Sequence, residues 1–156
     1  MRLAQQVLVT EEGWRRLQVE MALLQVKLGA KMDEYLALAK GVERAEATFD
    51  HLCGEIAVLD RRIAEIREAL HTALPVGEGD REPGTVGVGS RVVVRWEADD
   101  SEETYTIVGP PEVDVRAGRF SYESPIGRAL LGRREGDSVE AVTPDGPQRI
   151  ELLALA

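Results

Sequence analysis

An α+β fold is predicted: an antiparallel coiled-coil helical hairpin over residues 1–74, then a small antiparallel sheet domain with one short helix. Three observations predict it. Apolar residues in the first half recur at alternating steps of three and four, the spacing of a coiled-coil seam. A Pro, Gly and acid stretch at 75–84 breaks that period, as a linker does. Beyond it come short runs rich in Val, Ile, Thr and Tyr, separated by turn residues, which read as strands.

The first helix is expected to start near residue 10. Thr10 is a good N-cap, and Glu11 and Glu12 in the first turn suit the positive end of the helix dipole. Its seam runs Leu17, Met21, Leu24, Leu28, Lys31, Tyr35, Leu38, with Lys31 the one break in the apolar series. The second helix has an unbroken seam, Phe49, Leu52, Ile56, Leu59, Ile63, Ile66, Leu70. The two seams are of equal length, roughly 32 Å at about 1.5 Å per residue. Folding one back on the other pairs Leu17 with Leu70 and Leu38 with Phe49, and places Lys31 near Ile56. The reversal then falls at a polar tip, Gly41-Val42-Glu43-Arg44-Ala45-Glu46, at the end of a protruding rod.

In the second half, strands are expected at 90–96, 103–108, 113–115, 119–122, 138–143 and 148–155. One helix interrupts them. Ser124 is its N-cap, Pro125 suits its first position, and Gly132 can close it after Leu131. Residues 85–156 make the compact domain and 75–84 the linker.

Composition narrows the function. The chain has 156 residues, with 19 Lys plus Arg against 28 Asp plus Glu, a net charge of −9, and most of the excess acid lies in the second half. Such a balance argues against direct DNA binding through phosphate contacts. No apolar run is long enough for a membrane helix, and the first ten residues do not read as a secretory signal. The single cysteine, Cys53, fits a reducing cytoplasm. Catalytic signatures are scarce. His51, Cys53 and His71 lack the paired spacing of a zinc site, so they read as positions flanking the seam, with Cys53 a thiol at the coil edge. No Ser-His-Asp arrangement is arguable. No enzyme, metal site or resident cofactor is expected. Glu43 and Glu46 are three apart, which on a helical turn brings two carboxylates within reach of one divalent cation. Solvated polar residues at a hairpin tip are the plainer account of the same pair.

Several segments together resemble a known family. The run Ser124-Pro125-Ile126-Gly127-Arg128-Ala129-Leu130-Leu131-Gly132, then Gly136-Asp137-Ser138-Val139 and Thr143-Pro144-Asp145-Gly146, and the helix start Thr10 to Met21, are similar to the bacterial Gre transcript-cleavage factors and their non-cleaving homologues. The resemblance implies an FKBP-like C-terminal domain that is not a prolyl isomerase. That domain would grip the coiled-coil rim of the RNA polymerase β′ subunit at the mouth of the secondary channel, with Glu123, Ser124, Pro125 and Ile126 at the contact. The rod would enter the channel. In cleavage factors an Asp and a Glu at the tip help hold a second Mg²⁺ and its attacking water at the polymerase's own active site.

This sequence departs from that pattern at the tip. Against the family's Gly-Asp-Leu-x-Glu-Asn-Ala-Glu-Tyr it reads Gly41-Val42-Glu43-Arg44-Ala45-Glu46-Ala47-Thr48-Phe49. Val42 stands at the Asp position and Ala45 at the Glu position, and neither side chain binds a metal. Glu43 and Glu46 each come one residue late, a rotation of about 100° on a helix. The expectation is a cytoplasmic, monomeric elongation regulator that occupies the channel without stimulating cleavage, with Mg²⁺ present only at the polymerase active site. Two alternatives stay open: a working cleavage factor using Glu43 and Glu46, and a coiled-coil adaptor unrelated to polymerase.

Overall fold

The computed structural model describes residues 6–41 and 46–156. It divides into two compact units, residues 15–72 and residues 1–14 with 73–156.

The first unit is a pair of helices. Helix α1 spans Glu11–Lys40 and helix α2 spans Glu46–Thr72. Thr10 caps α1 as its sequence suggests, its Oγ1 accepting from the Gly13 N–H at 2.9 Å. The two helices run antiparallel, because early α1 meets late α2 and late α1 meets early α2. Arg62 Nε donates to Glu20 at 2.8 Å, Lys31 Nζ lies 3.0 Å from Glu55, and the rings of Tyr35 and Phe49 pack at 4.8 Å. Every residue of both expected seams is buried or half-buried, so the 3-4 spacing found the packed stripe of each helix. Near the tip Phe49 stacks on Tyr35, the seam position next to Leu38, an aromatic contact between neighbouring layers of the pair.

Burial along α2 is uneven. Leu52, Ile63 and Ile66 are buried, whereas Ile56 is half-buried. Ile63→Ala is therefore expected to cost about 2–5 kcal/mol, and Ile56→Ala clearly less, which urea denaturation of the two variants checks. Opposite Ile56, Lys31 turns its ammonium outward to Glu55 and to Glu34 at 3.4 Å. The hydrogen bond to Glu55 raises the Lys31 pKa above 10.5, and its counterpart lowers that of Glu55 below 4.5. Lys31 thus snorkels from the seam, and Lys31→Leu would strip Glu55 of this partner.

The second unit is built on a five-stranded sheet. Its strands, numbered after two short ones described next, are β3 (Arg91–Trp96), β4 (Glu102–Val108), β5 (Arg119–Ser121), β6 (Ser138–Thr143) and β7 (Gly146–Leu155), in the order β5-β4-β3-β7-β6. Alternate residues face a core of Val92, Val94, Tyr105, Ile107, Val139, Ala141, Ile150 and Leu152, closed by Val86 and Leu130. Tyr105 is held there by Trp96 Nε1, 3.2 Å from its hydroxyl, and burial pushes its phenol up to about 12. Short helix α3 (Pro125–Leu130) packs on β6 and β5.

Three expectations need correction. Residues 113–115 form no strand: two 3₁₀ turns, Pro110–Glu112 and Val115–Ala117, flank a single bridge from Asp114 to Arg119. The Asp114 side chain accepts from the Ala117 N–H at 3.2 Å, a local bond that outcompetes the β preference of the two valines. The sheet is also not wholly antiparallel, since these turns reverse the chain twice and β5 pairs with β4 in parallel.

The third correction concerns the boundary. Strand β1 (Val7–Thr10) pairs in parallel with β2 (Ala73–Val76), so the segments that precede α1 and follow α2 belong to the sheet unit. Residues 75–84 are correspondingly not a free linker. They continue β2 into a 3₁₀ turn, Glu78–Asp80, and Arg81 reaches the buried Ser90 hydroxyl at 3.1 Å. Among the described residues no helix is long and apolar enough to cross a membrane.

Candidate functional site

The expected docking segment is set by a tight turn before α3. Ser121 O accepts from both the N–H (3.0 Å) and the Oγ (2.6 Å) of Ser124. Ser124 Oγ in turn accepts from the Gly127 N–H at 3.0 Å, which caps the helix. Pro125 follows at the first helical position, where its missing N–H leaves nothing unsatisfied. The Glu123 N–H donates to Ser121 Oγ at 3.0 Å, which fixes its backbone.

The four residues named from sequence therefore divide by role. Glu123 and Pro125 are exposed, and Ser124 and Ile126 are half-buried, Ile126 packing against the sheet core. Ser124 spends its hydroxyl on the cap, so its part is to shape the turn. Glu123 offers a charge and Pro125 a rigid apolar ring. The sequence reading missed two exposed neighbours at the far end of the helix, Arg128 and Leu131. Leu130 and Leu131 are alike in sequence, but the first is fully buried and the second 42% exposed. The available signal was Gly132, whose φ of 77° ends the helix there and turns Leu131 away from the core.

Of the tip, Val42, Glu43, Arg44 and Ala45 lie outside the described residues. Glu46 opens α2 and is exposed; a carboxylate in a helix's first turn suits the dipole without any ligand. His51 and His71 are exposed and Cys53 is a half-buried free thiol, the flanking positions expected of them. Among the described residues no group of three or more His, Cys, Asp or Glu is gathered as a metal site.

Comparison with known proteins adds a second line of observation. Residues 81–156 match the family described as transcription elongation factor, GreA/GreB, C-terminal. The chain is 39% identical over 147 residues to transcription elongation factor GreA of Chloroflexus aggregans, covering 93% of this chain and 94% of that protein. It is 32% identical over 157 residues to GreA of Clostridium beijerinckii, covering 98% and 97%. A crystal structure of GreA factor homolog 1 (Gfh1) of Thermus thermophilus aligns over 97% of this chain and 99% of that one, at 25% identity and a TM-score of 0.48.

Proposed function

Because the chain belongs to the GreA/GreB family of transcription elongation factors, we propose that it binds RNA polymerase at the secondary channel and regulates elongation there without stimulating RNA cleavage itself. Family membership removes the ground for an adaptor unrelated to transcription. The observation that carries the non-cleaving reading is the tip sequence. By the resemblance described above, Val42 and Ala45 stand where the family's cleavage factors carry the Asp and Glu that help hold the second Mg²⁺. Without those carboxylates the tip adds no ligand to a two-metal site. What remains is occupancy: the helical pair fills the channel and competes with cleavage-competent relatives.

On this reading the protein acts as a cytoplasmic monomer and has no catalytic centre or resident cofactor, the Mg²⁺ being the polymerase's own. It makes no direct contact with DNA, in keeping with its net charge of −9. The sheet unit docks on the β′ rim through Glu123 and Pro125, with Ser124 and Ile126 shaping the surface behind them. A second reading, cleavage supported by Glu43 and Glu46, rests on those two acids lying one position away from the expected ones.

Docking is tested by replacing Glu123 and Pro125 together with Ala. Both side chains are exposed, so the melting temperature should hardly move. Affinity for polymerase should fall at least about fivefold, near 1 kcal/mol, and competition against a cleavage factor should weaken in step. Unchanged affinity in a pull-down with polymerase contradicts the placement of the contact.

A further inference from the structure

Helices α1 and α2 are weakened at one and the same level. Beyond the first turn of α1 they contain two glycines, Gly29 and Gly54. Gly29 stands six residues before Tyr35 and Gly54 five after Phe49, and those two rings are in contact. The antiparallel pair therefore brings both glycines to one level, within about 2 Å along the axis, and the 3.0 Å contact of Lys31 with Glu55 lies there too. Neither glycine serves a close approach, because a Cβ added at either meets nothing beyond its own helix backbone within 4 Å. Each weakens its helix about fivefold against Ala, with no packing gain in return.

Packing between the helices is thin at the same place. Leu52 and Ile63 are 2% and 3% exposed, but the seam positions between them, Ile56 and Leu59, are only half-buried. On α1 the seam residue here is Lys31, whose ammonium leaves the seam for Glu34 and Glu55. A groove of about 920 Å³ opens between the helices, lined by Lys27, Ala30, Gly54 and Val58 among others.

We infer that the helical pair yields at this level as a hinge. The stretch held by Ile63 and Ile66 lies on one side of it, and the stretch held by Leu52 and the Tyr35–Phe49 contact on the other. Opening breaks the intrahelical bonds that span Gly29 and Gly54 while both flanking stretches stay folded, a local event well short of global unfolding. A weak point on one helix would be splinted by an intact partner. With both glycines at one level, neither helix splints the other. The Lys31–Glu55 pair, with both side chains about a third exposed, adds little against opening. A pair that bends here can follow a channel whose axis is not straight. That use rests on the proposed function; the hinge itself does not.

Residue-resolved hydrogen exchange of the full chain, without polymerase, tests the hinge. Amides at 30–33 and 55–58 should be protected at least about tenfold less than those of Leu24 and Ile63 on one side and of Leu36 and Leu52 on the other. Their exchange should be nearly independent of low urea concentrations, since a local opening exposes little surface. Gly29→Ala with Gly54→Ala should raise protection at this level at least about tenfold without lowering the melting temperature. Gly29→Ala alone should also raise protection of the α2 amides at 55–58, about fivefold, because the level opens as a unit. Protection that declines steadily from Leu24 and Ile63 towards Lys40 and Glu46, with no minimum at this level, overturns the proposal. So does unchanged protection in the doubly substituted chain, or a Gly29→Ala gain confined to α1.

Discussion

Gly127→Ala is expected to destabilise the sheet unit by about 3 kcal/mol or more, lowering the melting temperature by roughly 10 °C. Gly127 is buried in α3, and a Cβ there would lie 2.0 Å from Ser121 O and 2.8 Å from Tyr122 Cα. Both are backbone atoms, so no side-chain rotation relieves the clash. Moving Ser121 O breaks the two hydrogen bonds it accepts from Ser124, and with them the turn that presents Glu123 and Pro125. Stability and polymerase binding should therefore fall together, unlike the Glu123 and Pro125 replacements, which separate them. A thermal midpoint within about 2 °C of wild type, well under 1 kcal/mol on this scale, contradicts the close approach.

Gly13→Ala should have the next largest effect, about 2 kcal/mol destabilising, even though Ala in a helix interior is favoured over Gly by about 1 kcal/mol. A Cβ on Gly13 would lie 1.8 Å from Glu112 Oε1. That carboxylate is engaged on several sides. It accepts from the Thr10 N–H at 3.0 Å, from the Gly109 N–H at 2.9 Å and from the Thr10 hydroxyl. It also sits at the positive end of α1, where a negative charge is favoured. Expelling it forfeits these charge-assisted bonds at once. The clash requires both residues, so a double-mutant cycle isolates it. In a Glu112→Ala background, Gly13→Ala should become neutral or stabilising, measured by urea denaturation. A Gly13→Ala cost that is the same in both backgrounds contradicts this account.

These two positions mark where the sequence was legible and where it was not. The seams were readable because helix packing is periodic in sequence: every position from Leu17 to Leu38 and from Phe49 to Leu70 chosen by 3-4 spacing is shielded. The caps were readable because Thr10 and Ser124 act within three residues. The role of Gly127 depends on Ser121 O passing over it, and that of Gly13 on Glu112, 99 residues away. Neither neighbour announces itself in a local pattern.

The same limit hid the pairing of β1 with β2. Val7–Thr10 is too short to read as a strand alone, and its parallel partner starts 66 residues later, at Ala73. The linker assignment failed for that reason, since Pro and Gly content describes turn chemistry and says nothing of a strand partner across the fold. Before α3, the N-cap Ser124 and the first proline, Pro125, were legible. Which of Glu123 to Ile126 faces solvent was not, because it depends on how α3 sits on β5 and β6.

In the function proposed above, Val42 and Ala45 make this family member a channel occupant without cleavage activity. The measurement that tests it most directly is 3′ cleavage of RNA in stalled, backtracked elongation complexes, followed over a range of Mg²⁺ concentrations. The wild-type protein should stimulate no cleavage at any Mg²⁺ concentration and should block an added cleavage-competent factor. Val42→Asp with Ala45→Glu should confer at least weak cleavage, and Glu43→Ala with Glu46→Ala should largely retain inhibition. Cleavage by the unmodified protein that disappears when Glu43 and Glu46 are replaced would contradict the proposed function, and would assign the metal-holding role to those two acids instead.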